Sequence, residues 1–212
     1  MPSIEEELSH AKSFAAIENV LVNGTLIQYQ AVDVLSMLYR KAAIVSYDTG
    51  MGKTFMAAAV IRMLLNRDKN TKILMIIKKK QLLSTPEKIQ KNAGVDVIAT
   101  SADAKSVREN ITSERFLNYP VLMITHNCLN NKIVMRKLFE YKQLYSCIII
   151  DEAHNLNNTV NASSASMLKG MCRAFEYRFA LTATPITTDV RQSARLASLL
   201  DYKTYPDEAK LA

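Results

Sequence analysis

The sequence predicts an α/β fold: a three-layer, doubly wound and mostly parallel sheet. Three observations predict it. Short apolar runs alternate with longer stretches of helical spacing, the pattern of strands joined by crossover helices. The runs are continuously apolar rather than alternating, as strands covered by helices on both faces require. At 212 residues, 49% hydrophobic and 22% charged, the chain is long enough to build one sizeable core.

Residues 1–24 read as a helical extension and residues 25–212 as the main domain. Ser3-Ile4-Glu5-Glu6 and Thr25-Leu26-Ile27-Gln28 both have the capping-box form, and Asn23-Gly24 between them is a natural helix stop. Strands are expected at Ala42-Ala43-Ile44-Val45, Ile73-Leu74-Met75-Ile76-Ile77, Val95-Asp96-Val97-Ile98, Val121-Leu122-Met123-Ile124, Ile148-Ile149-Ile150 and Phe179-Ala180-Leu181. Helical spacing covers 55–66, 81–92, 135–145 and 163–175.

No apolar run approaches the roughly 20 residues that cross a bilayer. The opening Met1-Pro2-Ser3-Ile4-Glu5-Glu6-Glu7 is acidic where a signal peptide is basic. The protein is therefore expected to be cytoplasmic, or nuclear in a eukaryote. Cys128, Cys147 and Cys172 are too scattered for a metal or disulfide framework and read as small buried hydrophobes. The net charge of +7 and pI of about 9.3 attract phosphate-rich partners, which is weak evidence for nucleic acid.

A doubly wound sheet gathers its ligand loops at the carboxyl ends of the strands. There the sequence places Asp48-Thr49-Gly50-Met51-Gly52-Lys53-Thr54, between a strand and a helix. Gly50 and Gly52 allow backbone N–H groups to turn inward around phosphate oxygens, and the helix start adds its positive dipole end. Thr49 and Met51 complete that backbone cradle. Lys53 can reach the β- and γ-phosphates, and the Thr54 hydroxyl can bind Mg²⁺. The general phosphate-loop pattern has glycine where this chain has Tyr47, but the Gly-x-Gly-Lys-Thr centre is intact.

Two further strand ends carry polar groups. Asp151 and Glu152 follow Ile148-Ile149-Ile150. Alone such a pair is an ordinary solvated turn; beside Lys53 and Thr54, Asp151 can hold Mg²⁺ and Glu152 can deprotonate an attacking water. Leu181-Thr182-Ala183-Thr184-Pro185 places two hydroxyls where they could sense the γ-phosphate, although alone it reads as a threonine-rich turn.

With these three segments in this order, the chain resembles the superfamily 2 helicases and translocases. Residues 48–54 match motif I, Asp151-Glu152-Ala153-His154 is a DEAH form of motif II, and 181–185 match motif III. The resemblance is strongest to the Swi/Snf-type translocases of double-stranded DNA. It covers nearly the whole chain from Leu26 onward, including Leu26-Ile27-Gln28-Tyr29-Gln30, the motif II extension through Asn155-Leu156-Asn157-Asn158, and 194–205. Ala183 and Asp48-Thr49 depart from that branch and leave phage-like, viral or restriction-type translocases as alternatives.

The resemblance implies a RecA-like lobe that binds ATP and Mg²⁺, with Gln30 reading adenine. It implies that Lys79, Lys80, Thr125 and His126 follow one nucleic-acid strand, Lys79 standing where the family often has proline. It also implies that His154, with Thr182 and Thr184, couples nucleotide state to that groove. Family members close ATP between two such lobes, and the second supplies arginines to the γ-phosphate. This sequence holds no second-lobe motifs, so weak Mg-ATP binding and very slow hydrolysis are expected of it alone. A GTPase would need an Asn-Lys-x-Asp base reader, and Asn131-Lys132-Ile133-Val134 lacks the aspartate.

Overall fold

The computed structural model describes residues 17, 20–156, 160–183, 190–202 and 204, the side chains of 162 and 190–192 excepted. The expected first capping box and most of the 1–24 extension lie outside these residues, as do Asn157, Asn158, Thr184 and Pro185. Among the described residues, no helix is long and apolar enough to cross a membrane.

Among the described residues six strands form one sheet: β1 (Ala42–Ser46), β2 (Lys72–Ile77), β3 (Val97–Thr100), β4 (Val121–Thr125), β5 (Tyr145–Asp151) and β6 (Tyr177–Thr182). Their order is β1-β6-β5-β2-β4-β3. Every pairing is parallel. The expected strands are all present; β3 starts two residues late, after the left-handed Gly94 that ends the preceding helix. The helices are α1 (Gln28–Arg40), α2 (Lys53–Arg67), α3 (Ser84–Ala93), α4 (Lys132–Glu140), α5 (Ala162–Cys172) and α6 (Val190–Leu200).

Side chains alternate across each strand, and the alternation divides the core into two. On one face Ile73, Met75, Ile77 and Phe179 pack with Val34 of α1, Val60 and Ile61 of α2 and Ile89 of α3. On the other, Leu74, Ile76, Ile148, Ile150 and Ala180 pack with Val134 and Leu138 of α4, Met171 of α5 and Leu196 of α6. Each fully buried Ile or Leu contributes about 1.5–3 kcal/mol relative to exposure, so both helical layers are tightly held. The expected three-layer α/β architecture is the observed one.

Local chemistry moves several boundaries. The helix expected at 135–145 starts earlier, because the Asn131 side chain accepts from the N–H groups of Ile133 (3.0 Å) and Val134 (3.3 Å). It ends at Glu140, which releases Tyr145 to begin β5. Thr25 does not cap α1: the preceding residue is Ile27, and its N–H is satisfied by Gln30 Oε1 at 3.2 Å. Cys128, Cys147 and Cys172 are buried free thiols.

Candidate functional site

β1 ends in a turn that reverses into α2. Gly50 (φ +91°) and Gly52 (φ +84°) adopt left-handed backbone, which glycine tolerates without the steric cost other residues bear. A Cβ on Gly50 would meet nothing within 4 Å, whereas one on Gly52 would land on Gln30 Nε2. Lys53 folds back over the loop, donating from Nζ to the carbonyls of Tyr47 (2.7 Å) and Asp48 (3.2 Å). Thr54 follows it in the first turn of α2, half-buried.

Gln30 braces this loop from α1. Its Oε1 accepts from Ile27 N, which leaves Nε2 to donate to the Met51 carbonyl at 3.1 Å. Tyr29 Oη donates to the same carbonyl at 3.4 Å. Tyr47 packs against Tyr29 with ring centroids 5.4 Å apart and donates to Asp33. Burial and the Asp33 carboxylate push the Tyr47 phenol upward, so it stays protonated.

The carboxylates lie two strands away. β6 stands between β1 and β5, with Ser46 opposite Thr182 and Leu181 opposite Asp151. Asp151 is 4% exposed. Its Oδ1 accepts from Glu152 N and its Oδ2 from Gln81 Nε2, each at 3.0 Å. Burial, then the adjacent Glu152, raises its pKa, opposed by these bonds and by the Lys53 charge.

Glu152 is left-handed (φ +51°), a strained backbone for a residue with a Cβ. Asn155 clamps the turn, donating to the Glu152 carbonyl from its backbone N (2.9 Å) and its side-chain Nδ2 (2.8 Å). The second Nδ2 proton goes to His154 Nε2 at 2.9 Å. His154 Nδ1 therefore carries the ring proton and donates to Thr182 Oγ1 at 2.9 Å, with Glu152 Oε2 at 3.4 Å. Burial lowers the His154 pKa, in keeping with the neutral ring. Lys78 Nζ stands 4.0 Å from the same Glu152 oxygen.

Residues 14–187 match the family described as the type III restriction enzyme, res subunit (ResIII). The chain belongs to that family. No curated protein sequence matches it significantly. Among solved structures, this ResIII-family chain is similar to the Sulfolobus solfataricus SWI2/SNF2 ATPase core in complex with dsDNA: TM-score 0.72, 22% identity, 89% of this chain and 38% of that one. The core domain of that protein gives 0.70, 22%, 86% and 36%. The UvsW helicase from bacteriophage T4 gives 0.67, 15%, 90% and 65%. The fold is thus the RecA-like lobe of the superfamily 2 type, and the chain spans well under half of the SWI2/SNF2 proteins it resembles. Family and fold together make it a nucleotide-binding lobe of the helicase and translocase class.

Within this ResIII-family lobe the structure brings together Gln30, Thr49, Gly50, Met51, Gly52, Lys53 and Thr54 on one side, and Asp151, Glu152, His154 and Thr182 on the other. Thr184 lies outside the described residues. Lys79 and Lys80 are exposed on a one-turn 3₁₀ helix after β2. Thr125 and His126, expected on the same nucleic-acid path, point inward instead. They are 1% and 4% exposed; Thr125 Oγ1 lies 3.3 Å from Cys128 Sγ, and His126 Nε2 donates to the Asp151 carbonyl at 2.9 Å. Burial lowers the His126 pKa and keeps it neutral. In this conformation His126 supports the carboxylate strand and offers no charge to a phosphate. Gln30 likewise has its amide committed to the loop backbone. Gln81, Asn155, Asp33 and Tyr47 are parts of the site whose contacts sequence reasoning missed.

Proposed function

We propose that this lobe binds Mg-ATP and a nucleic-acid backbone as half of a nucleic-acid-dependent ATPase. The observation that carries the reading is the gathering of Lys53, the glycine loop, Asp151 and Glu152 at the carboxyl ends of β1 and β5, with β6 between them. The donor set fits the nucleotide. Gly50 opens onto free space, α2 points its amino terminus at the loop, and among the described residues Lys53 has two carbonyl partners to leave. Mg²⁺ keeps most of its waters and phosphate oxygens, so Thr54 and Asp151 suffice as protein donors. When bound, that ion neutralises charge on the β- and γ-oxygens.

Lys53 then exchanges the neutral Tyr47 and Asp48 carbonyls for anionic phosphate oxygens, so that both partners of the bond are charged. Glu152 takes the proton of the attacking water. His154, held on Thr182, relates the Glu152 turn to the end of β6. Lys79 and Lys80 meet backbone phosphates. Double-stranded DNA is the proposed partner, because the Sulfolobus relative is described in complex with it. Efficient hydrolysis is assigned to closure against a second RecA-like lobe, where an arginine finger contributes about 10³–10⁵ in related enzymes.

The test is a titration with Mg-ATP. Lys53→Ala is expected to weaken binding about 10–100-fold, the worth of one charged hydrogen bond. Glu152→Gln is expected to spare binding and slow single-turnover hydrolysis about 10²–10⁴-fold. Wild-type chain without Mg-nucleotide affinity would leave only a nucleic-acid or protein binding platform.

A further inference from the structure

Gln81 makes two side-chain hydrogen bonds, one within its own turn and one across to the acidic turn. It is the third residue of the Lys79–Gln81 3₁₀ helix, and its Oε1 accepts from Lys78 N at 3.0 Å. This reach back to the preceding N–H is the carboxamide half of a capping box. One end of the amide thus faces a pure donor, so the other end must be Nε2. That Nε2 donates across 70 positions of sequence to Asp151 Oδ2 at 3.0 Å. Gln30 does the same on the other side of the site, with Oε1 on Ile27 N and Nε2 on the Met51 carbonyl.

We propose that Gln81 is a positioning residue that fixes the Asp151 carboxylate in the orientation needed to hold Mg²⁺. The inference rests on the Mg-ATP reading above. Asp151 leaves β5 with one oxygen tied to its own chain through Glu152 N. A single bond leaves the carboxyl group free to turn about χ2; the second, from β2's following turn, removes that freedom. Each oxygen keeps a lone pair for the ion or its water. Partners beyond the ligands themselves commonly carry about 10–100-fold in metal affinity, and Gln81 occupies that place here.

The measurement is nucleotide binding by this chain, with fluorescent ATP, in EDTA and across a MgCl₂ titration. Gln81→Met keeps the length and removes both polar ends; Gln81→Ala repeats the loss without the bulk. Both are expected to bind nucleotide in EDTA as wild type does and to need about tenfold more Mg²⁺ at the midpoint. Gln30→Met, acting on the loop, is expected to weaken binding equally in EDTA and in Mg²⁺. An unchanged Mg²⁺ midpoint in a Gln81→Met protein that binds normally in EDTA overturns the inference alone. A loss of binding in both buffers also overturns it, since that would make Gln81 a general structural support. Wild-type chain with no response to Mg²⁺ overturns the Mg-ATP reading, and this inference falls with it.

Discussion

At the end of β1 the chain passes through Asp48, Thr49, Gly50 and Met51, all exposed, while at the end of β5 Asp151 is 4% exposed and both its oxygens are engaged. The loop half holds its shape by bonds that can be given up: Lys53 rests on two carbonyls it must leave to meet a phosphate. The carboxylate half is braced from several sides, with Asn155, His126 and Gln81 converging on the two residues of the acidic turn. The difference follows from charge. An anionic triphosphate chain brings its own acceptors and can organise exposed N–H groups around itself. A buried carboxylate next to a second one must be fixed beforehand, because its misorientation leaves charge uncompensated at low dielectric.

The comparison breaks hardest at Gly52, where Gln30 lies against the loop. Gly52→Ala places a Cβ in left-handed backbone, costing about 1–2 kcal/mol, and drives it into Gln30 Nε2. Displacing Gln30 forfeits its bond to Met51, a further ~1 kcal/mol. Together these predict a loss of nucleotide affinity of roughly 30–160-fold. If Gln30 transmits part of that damage, Gly52→Ala with Gln30→Ala is less than additive by equilibrium binding. Full additivity would show that the two sites act separately.

Asn155→Ala probes the other half. It removes one bond to the Glu152 carbonyl and one to His154 Nε2, freeing the His154 tautomer and loosening the strained turn. The expectation is about a 5–20-fold fall in single-turnover hydrolysis. Nucleotide affinity should stay within about twofold, since the bonds removed hold Glu152 and His154 on the acidic turn. Equal losses in affinity and hydrolysis would mean that the halves are not separable.

What the residues announce in advance depends on whether the chemistry is contiguous. The glycine loop and the acidic pair need particular residue types at adjacent positions, each after an apolar run, so both were legible. Strand order was not: nothing local says that β6 inserts between β1 and β5 and so sets Thr182 between the two halves. The Gln81–Asp151 bond was hidden for the same reason, because it depends on the register of β2 against β5. Thr125 and His126 show a different limit. A polar residue at a strand end reads alike whether it faces solvent or the neighbouring strand, and the Asp151 carbonyl that captures His126 belongs to β5. In α4 the expected period was right and the boundary wrong, since one Asn131 cap outweighs the apolar spacing that followed it.

The smallest effect separates the two kinds of residue expected along the nucleic-acid path. Lys79 is exposed, and a lysine that meets one backbone phosphate releases about one counterion on binding. Lys79→Ala is therefore expected to weaken DNA binding a few-fold, alike for all sequences, and to reduce the slope of log affinity against log salt by about 1. His126 is neutral and buried beneath Asp151, so His126→Ala should leave that slope unchanged and lower the melting temperature instead. The salt series distinguishes them even where their affinities match, because a displaced counterion is counted only at a charge that reaches the phosphate. A slope reduced by His126→Ala would mean that the strand end opens to bring the imidazole out, and the inward placement would then describe only the unliganded lobe.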